Sequence, residues 1–292
     1  MAIFLKDCRT ALAMTFIYGF PIGVGNDRIN MIPWFELHSF NIGPITIQVW
    51  GTLVALGFLV GAYISSRRAK SQGLDPKIVW DMAFWIFVSA IIGSRIFHVL
   101  FYEPAYYFAN PMDIVNPFNP GFAIMGGFLG AALAVWWFVR KRKLNFLKYA
   151  DSLIWGLPWG CFIGRLGCFF IHDHPGVTTF FFGAVKYPDG FMRHDLGLYL
   201  SMLGLLIGII FLIMDRSINA GHQTPDAGQN KGFWFGSFLV LYGISRFLLD
   251  FLRIIDTRWA GLTSTQWILI ATTALGVWLV VRALRSVKSN FT

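Results

Sequence analysis

The sequence predicts an all-α, polytopic integral membrane protein with about seven transmembrane helices. Its N-terminus is expected outside, its C-terminus in the cytoplasm, with a small region of outer loops. Three observations predict this. Hydrophobic residues make up 56% of the 292 and charged residues only 13%, against about 25% charged in soluble domains. The mean hydropathy is +0.59. Apolar runs of roughly 20 residues, long enough to cross a bilayer core, recur between clusters of Lys and Arg.

The expected spans follow in order. The first covers 44–66, opening after Gly43-Pro44 and stopping at Arg67-Arg68. The second covers 78–101. The third, 121–139, lies between the Asn-Pro-rich loop 103–120 and the run Arg140-Lys141-Arg142-Lys143. The fourth, 150–171, contains Pro158, an expected kink. The fifth covers 196–214 and is followed by a flexible connection from Ser217 to Asn230. The sixth and seventh cover 232–252 and 262–281. Residues 31–292 read as one transmembrane domain. Residues 1–30 admit two readings: a signal-like segment, with Lys6 and Arg9 before an apolar stretch, or translation from a start upstream of Met31.

Basic residues cluster after the odd-numbered spans: Arg67, Arg68, Lys70 and Lys77, then 140–143 with Lys148, then Arg216 and Lys231, then Arg282, Arg285 and Lys288. By the positive-inside rule these connections face the cytoplasm, and the loop 172–195 faces out. The net charge of +9 is thereby explained by topology and anionic lipid, without nucleic acid. Cys8, Cys161 and Cys168 form no CxxC pair. Neither a disulfide framework nor a zinc pattern is indicated, and no metal or cofactor is expected.

Three arginines, Arg95, Arg165 and Arg246, fall within apolar spans. A charge there costs roughly 2.5–3.5 kcal/mol on insertion scales and points to a partner or a function. Pairing with carboxylates or backbone carbonyls is the plain alternative. Asp250, four residues after Arg246, can meet it on one helix face. Arg165 has no acid at helical spacing before Asp173, which makes it the better phosphate binder. The stretch from Gly164 through His172-Asp173-His174 to Gly176 carries that arginine into a polar interfacial loop. His98 shares a face with Arg95, and His194 lies near the outer surface beside Asp195. Acid–base work suits these outer histidines better than metal binding. Glycines 156, 160, 164 and 167, and Gly126, Gly127 and Gly130, read mainly as helix-packing stripes, alternatively as room for a lipid.

Gly164-Arg165-Leu166-Gly167-Cys168-Phe169 through Asp173 and Gly176 resembles the signature of the bacterial prolipoprotein diacylglyceryl transferases, Gly-Arg-x-Gly-Asn-Phe followed by an acid and a glycine. Further pieces match in order: Asn41-Ile42-Gly43-Pro44 with Trp50-Gly51, Gly93-Ser94-Arg95-Ile96, Gly121 to Gly127, Arg193-His194 with Tyr199, and Tyr242-Gly243 with Arg246-Phe247 and Asp250. The resemblance implies an enzyme of the bacterial inner membrane with its site toward the periplasm. It would transfer diacylglyceryl from phosphatidylglycerol to the lipobox cysteine of a preprolipoprotein signal peptide, forming a thioether and releasing glycerol phosphate. The implied catalytic residues are Arg165, Arg246, Asp173, His172 and His174. Arg165, Arg246, Gly126, Gly127, Arg95, Tyr242, Arg193 and His194 would bind phosphatidylglycerol. The chain departs from the pattern at Met125 (usually His), Cys168 (usually Asn) and Trp50 (usually Tyr). A nearby histidine or Asp173 would then serve as base, or the arginine field would lower the thiol pKa. The rival readings are a non-catalytic or substrate-altered lipid-binding relative and an anion transporter.

Overall fold

The computed structural model describes residues 32–116, 121–221, 232–254 and 258–288. The N-terminal segment 1–30 and most of the expected flexible connection (222–230) lie outside the described residues.

The chain enters through a hairpin, β1 (Ser39–Ile42) and β2 (Ile45–Gln48), turned at Gly43 with φ 61°. The first span therefore starts later than the apolar run, as α1 (Val49–Ser71). β-Branched Ile42, Ile45, Thr46 and Ile47 favour strands, and Gly43 supplies the left-handed turn. α2 (Pro76–Phe101) begins with Pro76 at its first turn and Asp75 as cap, accepting from Lys77 N at 2.9 Å. A short α3 (Pro104–Ala109) precedes α4 (Ile124–Lys141). α5 (Phe146–Ile171) runs unbroken through Pro158 and ends at His172, whose φ of 47° is left-handed.

A three-stranded antiparallel sheet then forms over the helix ends: β3 (Pro175–Thr178), β4 (Val185–Lys186) and β5 (Met192–Asp195), in the order β3-β5-β4. The expected outer loop 172–195 is thus a folded cap, not an open connection. α6 (Leu196–Gly221), α7 (Phe233–Leu249), a small hairpin of β6 (Arg258–Trp259) and β7 (Leu262–Thr263), and α8 (Ser264–Lys288) complete the chain. Among the described residues six helices are long and apolar enough to cross a membrane: α1, α2, α5, α6, α7 and α8. α4, of 18 residues, is not among these six. The protein is a multi-pass membrane protein.

α1 lies against α5 along a glycine seam. A Cβ on Gly156 would sit 1.8 Å from the Gly61 carbonyl oxygen, and one on Gly57 would sit 2.6 Å from that of Gly160. Only glycine permits such backbone approach. The same holds between α2 and α4, where a Cβ on Gly126 would come within 2.2 Å of the Gly93 carbonyl. At the end away from the sheet, Ile154, Trp155, Leu203, Phe211 and Trp234 form the main core. Arg68 lies over the Trp155 ring at 4.0 Å and pairs with Asp215 at 2.7 Å. Buried Asp151 accepts from the backbone N–H groups of Gly232 and Phe235 at the start of α7. These pairings tie Arg68 and Asp151 into the packing at that end.

Candidate active site

α5 delivers Arg165 one and a half turns before its end. The left-handed residue His172 then folds Asp173 and His174 back toward it. Arg165 Nη1 lies 3.3 Å from His174 Nε2 and 3.8 Å from Cys168 Sγ. A guanidinium only donates, so Nε2 is the acceptor and carries no proton. The proton of neutral His174 is then on Nδ1, which meets Asp173 Oδ1 at 2.9 Å. Asp173, His174 and Arg165 form a chain in which the acid orients the imidazole and the imidazole offers a lone pair toward the arginine. This is the arrangement of a general base with its orienting carboxylate.

α7 supplies the second cation. Arg246 is 6% exposed. Its Nη2 meets Asp250 Oδ1 at 3.0 Å, while its Nη1 is buried with no hydrogen-bond partner among the described residues. Asp250 is fixed from the far side by the Thr263 hydroxyl and flanked by Arg253 at 3.8 Å. Thr263 in turn begins α8 in a reciprocal cap: Gln266 Oε1 accepts from Thr263 N at 2.9 Å, and Gln266 N donates to Thr263 Oγ1 at 3.1 Å. The sequence reading missed this support, although Thr263-Ser264-Thr265-Gln266 is the capping-box pattern. Tyr242, one turn before Arg246, stacks on Phe238 with ring planes 8° apart and lies within electrostatic reach of both Arg165 and Arg246. The two arginines also feel each other's charge. Two cations and a phenol thus share one region.

Two apolar clefts open among the helices, and the smaller leads to it. One of about 810 Å³ lies between α4, α5 and α7, and one of about 360 Å³ between α1, α2 and α5. They share Ile86, Leu153 and Ile154, and the smaller reaches Gly164, the residue before Arg165.

The chain matches the family model described as prolipoprotein diacylglyceryl transferase over residues 38–282. It belongs to the prolipoprotein diacylglyceryl transferase family. Relatives named phosphatidylglycerol–prolipoprotein diacylglyceryl transferase include one from Nitratidesulfovibrio vulgaris strain DP4, 30% identical over 85% of this chain and 94% of its own length. One from Tolumonas auensis is 32% identical over 82% and 92%. One from Pseudomonas aeruginosa strain PAO1 is 31% identical over 87% and 95%.

In this family member, several residues expected at the site stand elsewhere. His172 is not at the mouth. Its side chain is fully buried, 2.6 Å from Asp195 Oδ2, and stacked on Trp34 at 4.4 Å. Tyr187 donates to the same carboxylate oxygen at 3.0 Å, and burial with that neighbour pushes the Tyr187 pKa upward. The left-handed backbone at His172 turns its ring into this aromatic box, where it holds the turn.

Arg95 is also occupied. It donates to the backbone carbonyls of Asp113, Ile114, Asn116 and Gly121 and lies over the Tyr107 ring, bracing the connection between α2 and α4. Gly126 lies in the α2–α4 seam, and a Cβ on Gly127 would meet only ordinary contacts. Arg193 pairs with Asp189 at 2.7 Å in the sheet. His194 Nδ1 lies 2.8 Å from the Tyr199 hydroxyl, and burial holds its pKa below the usual value. Arg165, Asp173, His174, Arg246 and Tyr242 are the expected residues placed for joint action. Cys168, where the family signature has Asn, lies among them. Its sulfur, the Asp173 carboxylate and an imidazole nitrogen of His174 fall within 4.8 Å of one another, a convergence the sequence spacing did not suggest.

Proposed function

We propose that this region transfers diacylglyceryl from phosphatidylglycerol to a prolipoprotein cysteine thiol, with Arg165 and Arg246 on the lipid phosphate and His174 as base. The acyl chains lie in the smaller apolar cleft, which reaches Gly164, so the lipid enters sideways from the bilayer. Its phosphate meets the two guanidiniums, which match phosphate oxygens as bidentate donors.

The chemistry balances as follows. The cysteine thiol gives its proton to His174 Nε2, with Asp173 steadying the resulting imidazolium. The thiolate attacks the glycerol carbon that bears the phosphate ester. A C–S bond forms, the C–O bond breaks, and the electron pair leaves on glycerol phosphate, which takes the proton from His174. Arg165 and Arg246 stabilise the charge that develops on the departing phosphate. When phosphate draws Arg165 toward itself, the hydrogen bond to His174 is released. The base is therefore freed when the lipid is in place.

The observation that carries this reading is the buried Nη1 of Arg246, which has no hydrogen-bond partner among the described residues and lies within electrostatic reach of Arg165. A buried donor left unpaired costs about 1–3 kcal/mol, which an anionic ligand recovers. The distribution of basic residues favours a cytoplasmic C-terminus. That puts the sheet and the site on the periplasmic side of the inner membrane, where a secreted substrate presents its lipobox cysteine.

The test mixes purified protein, labelled phosphatidylglycerol and a lipobox peptide. Thioether product that disappears with Arg165→Ala and falls steeply with His174→Ala is expected. Absence of product from the unaltered protein, with lipid still bound, would instead favour a lipid-binding relative without transferase activity.

A further inference from the structure

Cys168 is buried on the last turns of α5, and Asp173 and His174 follow the left-handed turn at His172. That turn is clamped by the fully buried His172–Asp195 pair. The three donor groups are therefore brought together by a rigid backbone, and one atom of each falls within 4.8 Å of the others. Arg165 Nη1 lies beside two of them, 3.8 Å from the sulfur and 3.3 Å from Nε2. These two groups already face a positive charge.

We propose that Cys168, Asp173 and His174 form an inhibitory site for a borderline-soft divalent cation of the zinc class. Thiolate and imidazole select such ions over magnesium or calcium. Three protein ligands with the fourth position left to water suit tetrahedral zinc. On binding, the Cys168 thiol loses its proton to solvent and the sulfur becomes a thiolate ligand. Thiolate and carboxylate together neutralise the dication. The ion takes the lone pair of His174 that otherwise accepts from Arg165, so the guanidinium must move out and the imidazole can no longer take up a proton. The binding claim stands on geometry alone. The inhibitory claim rests on the transferase reading above.

Full-length protein in detergent, freed of metal, is titrated with Co²⁺ alone. One equivalent should produce a near-ultraviolet thiolate-to-cobalt charge-transfer band and visible bands of tetrahedral intensity, and Zn²⁺ should abolish both. Cys168→Ala should remove the charge-transfer band. Asp173→Asn and His174→Gln should each weaken binding by about 10–100-fold or more. Cys161→Ala should leave the spectrum unchanged. A band that survives Cys168→Ala, or that vanishes with Cys161→Ala, overturns the site. Should Cys168→Ala fail to fold, Cys168→Ser and Asp173→Asn make the same test. In the transfer assay, Zn²⁺ should inhibit and a chelator should restore activity. Band present with transfer unaffected by Zn²⁺ overturns the inhibitory role. An active transferase with no band overturns the site while sparing the transferase reading. A band with no transfer at all overturns the transferase reading and spares the site.

Discussion

Replacing Arg246 by Lys isolates the contribution of one nitrogen. Lysine keeps the positive charge and can still meet Asp250, which now takes Arg246 Nη2 at 3.0 Å. It cannot present a second donor in the direction of Nη1, which is buried and unpartnered among the described residues. If Nη1 binds the lipid phosphate, the variant loses one charge-assisted hydrogen bond, about 1.5–3 kcal/mol. At about 1.4 kcal/mol per tenfold, that predicts a fall of about 10–150-fold in kcat/KM. The assay is thioether formation from labelled phosphatidylglycerol and a lipobox peptide, with lipid concentration varied to separate kcat from KM. A bond that strengthens as the phosphate departs lowers kcat. One made equally to bound lipid raises KM alone. Activity within twofold of the unaltered protein would refute the reasoning, since a point charge at this position would then suffice.

Three further outcomes follow from the packing and the cap. Gly156→Val should lower the melting temperature in detergent, because its Cβ would lie 1.8 Å from the Gly61 carbonyl oxygen and overpacking costs about 1–3 kcal/mol or more. Gly164→Ala should fold normally, its nearest neighbour being Val54 Cα at 3.8 Å. Equal melting of the two would contradict the seam. Asp195→Ala strands the buried His172 and Tyr187, and should cost about 1–3 kcal/mol of stability for each group left unpaired, read by thermal unfolding. His194 is held below the usual histidine value by burial. The unfolded chain therefore takes up its proton first as pH drops below about 6.5. Stability should decline from there down to the lowered folded-state value and be fully present above pH 6.5. His194→Gln should flatten this portion of a melting-versus-pH profile, and an unchanged profile would contradict it.

The helices were legible because long apolar runs bounded by charge leave few alternatives. Ile45 to Ile47 misled because an apolar stretch beside a span reads as part of it. Only the β-branched residues and Gly43 indicated a hairpin. The cap over α5 was hidden by the shortness of its strands. Within the site, Arg165 with Asp173 and His174 could be read from the sequence because the chain brings them together locally. Arg246 and Asp250 were legible for the same reason, four residues apart on one helix. His172 could not be told from His174, since the distinction is which of them the left-handed turn buries. Arg95 resembled the other intramembrane arginines because its partners are backbone carbonyls on a distant connection, which leave no mark in residue identity. Asp250's support by Thr263 spans a turn and a hairpin and was equally hidden, though the cap at Thr263 was not.

The Arg246–Asp250 pair has a consequence for how the chain enters the bilayer. The two charges lie on successive turns of one segment, so that segment can leave the translocon already neutralised, before any other helix has packed against it. Arg165 has no such local companion. Its neighbours His174 and Asp173 belong to the stretch that follows α5. Folding thus imposes an order: the second cation is ready as soon as its helix forms, whereas the first is accommodated only once the cap after α5 has closed over it.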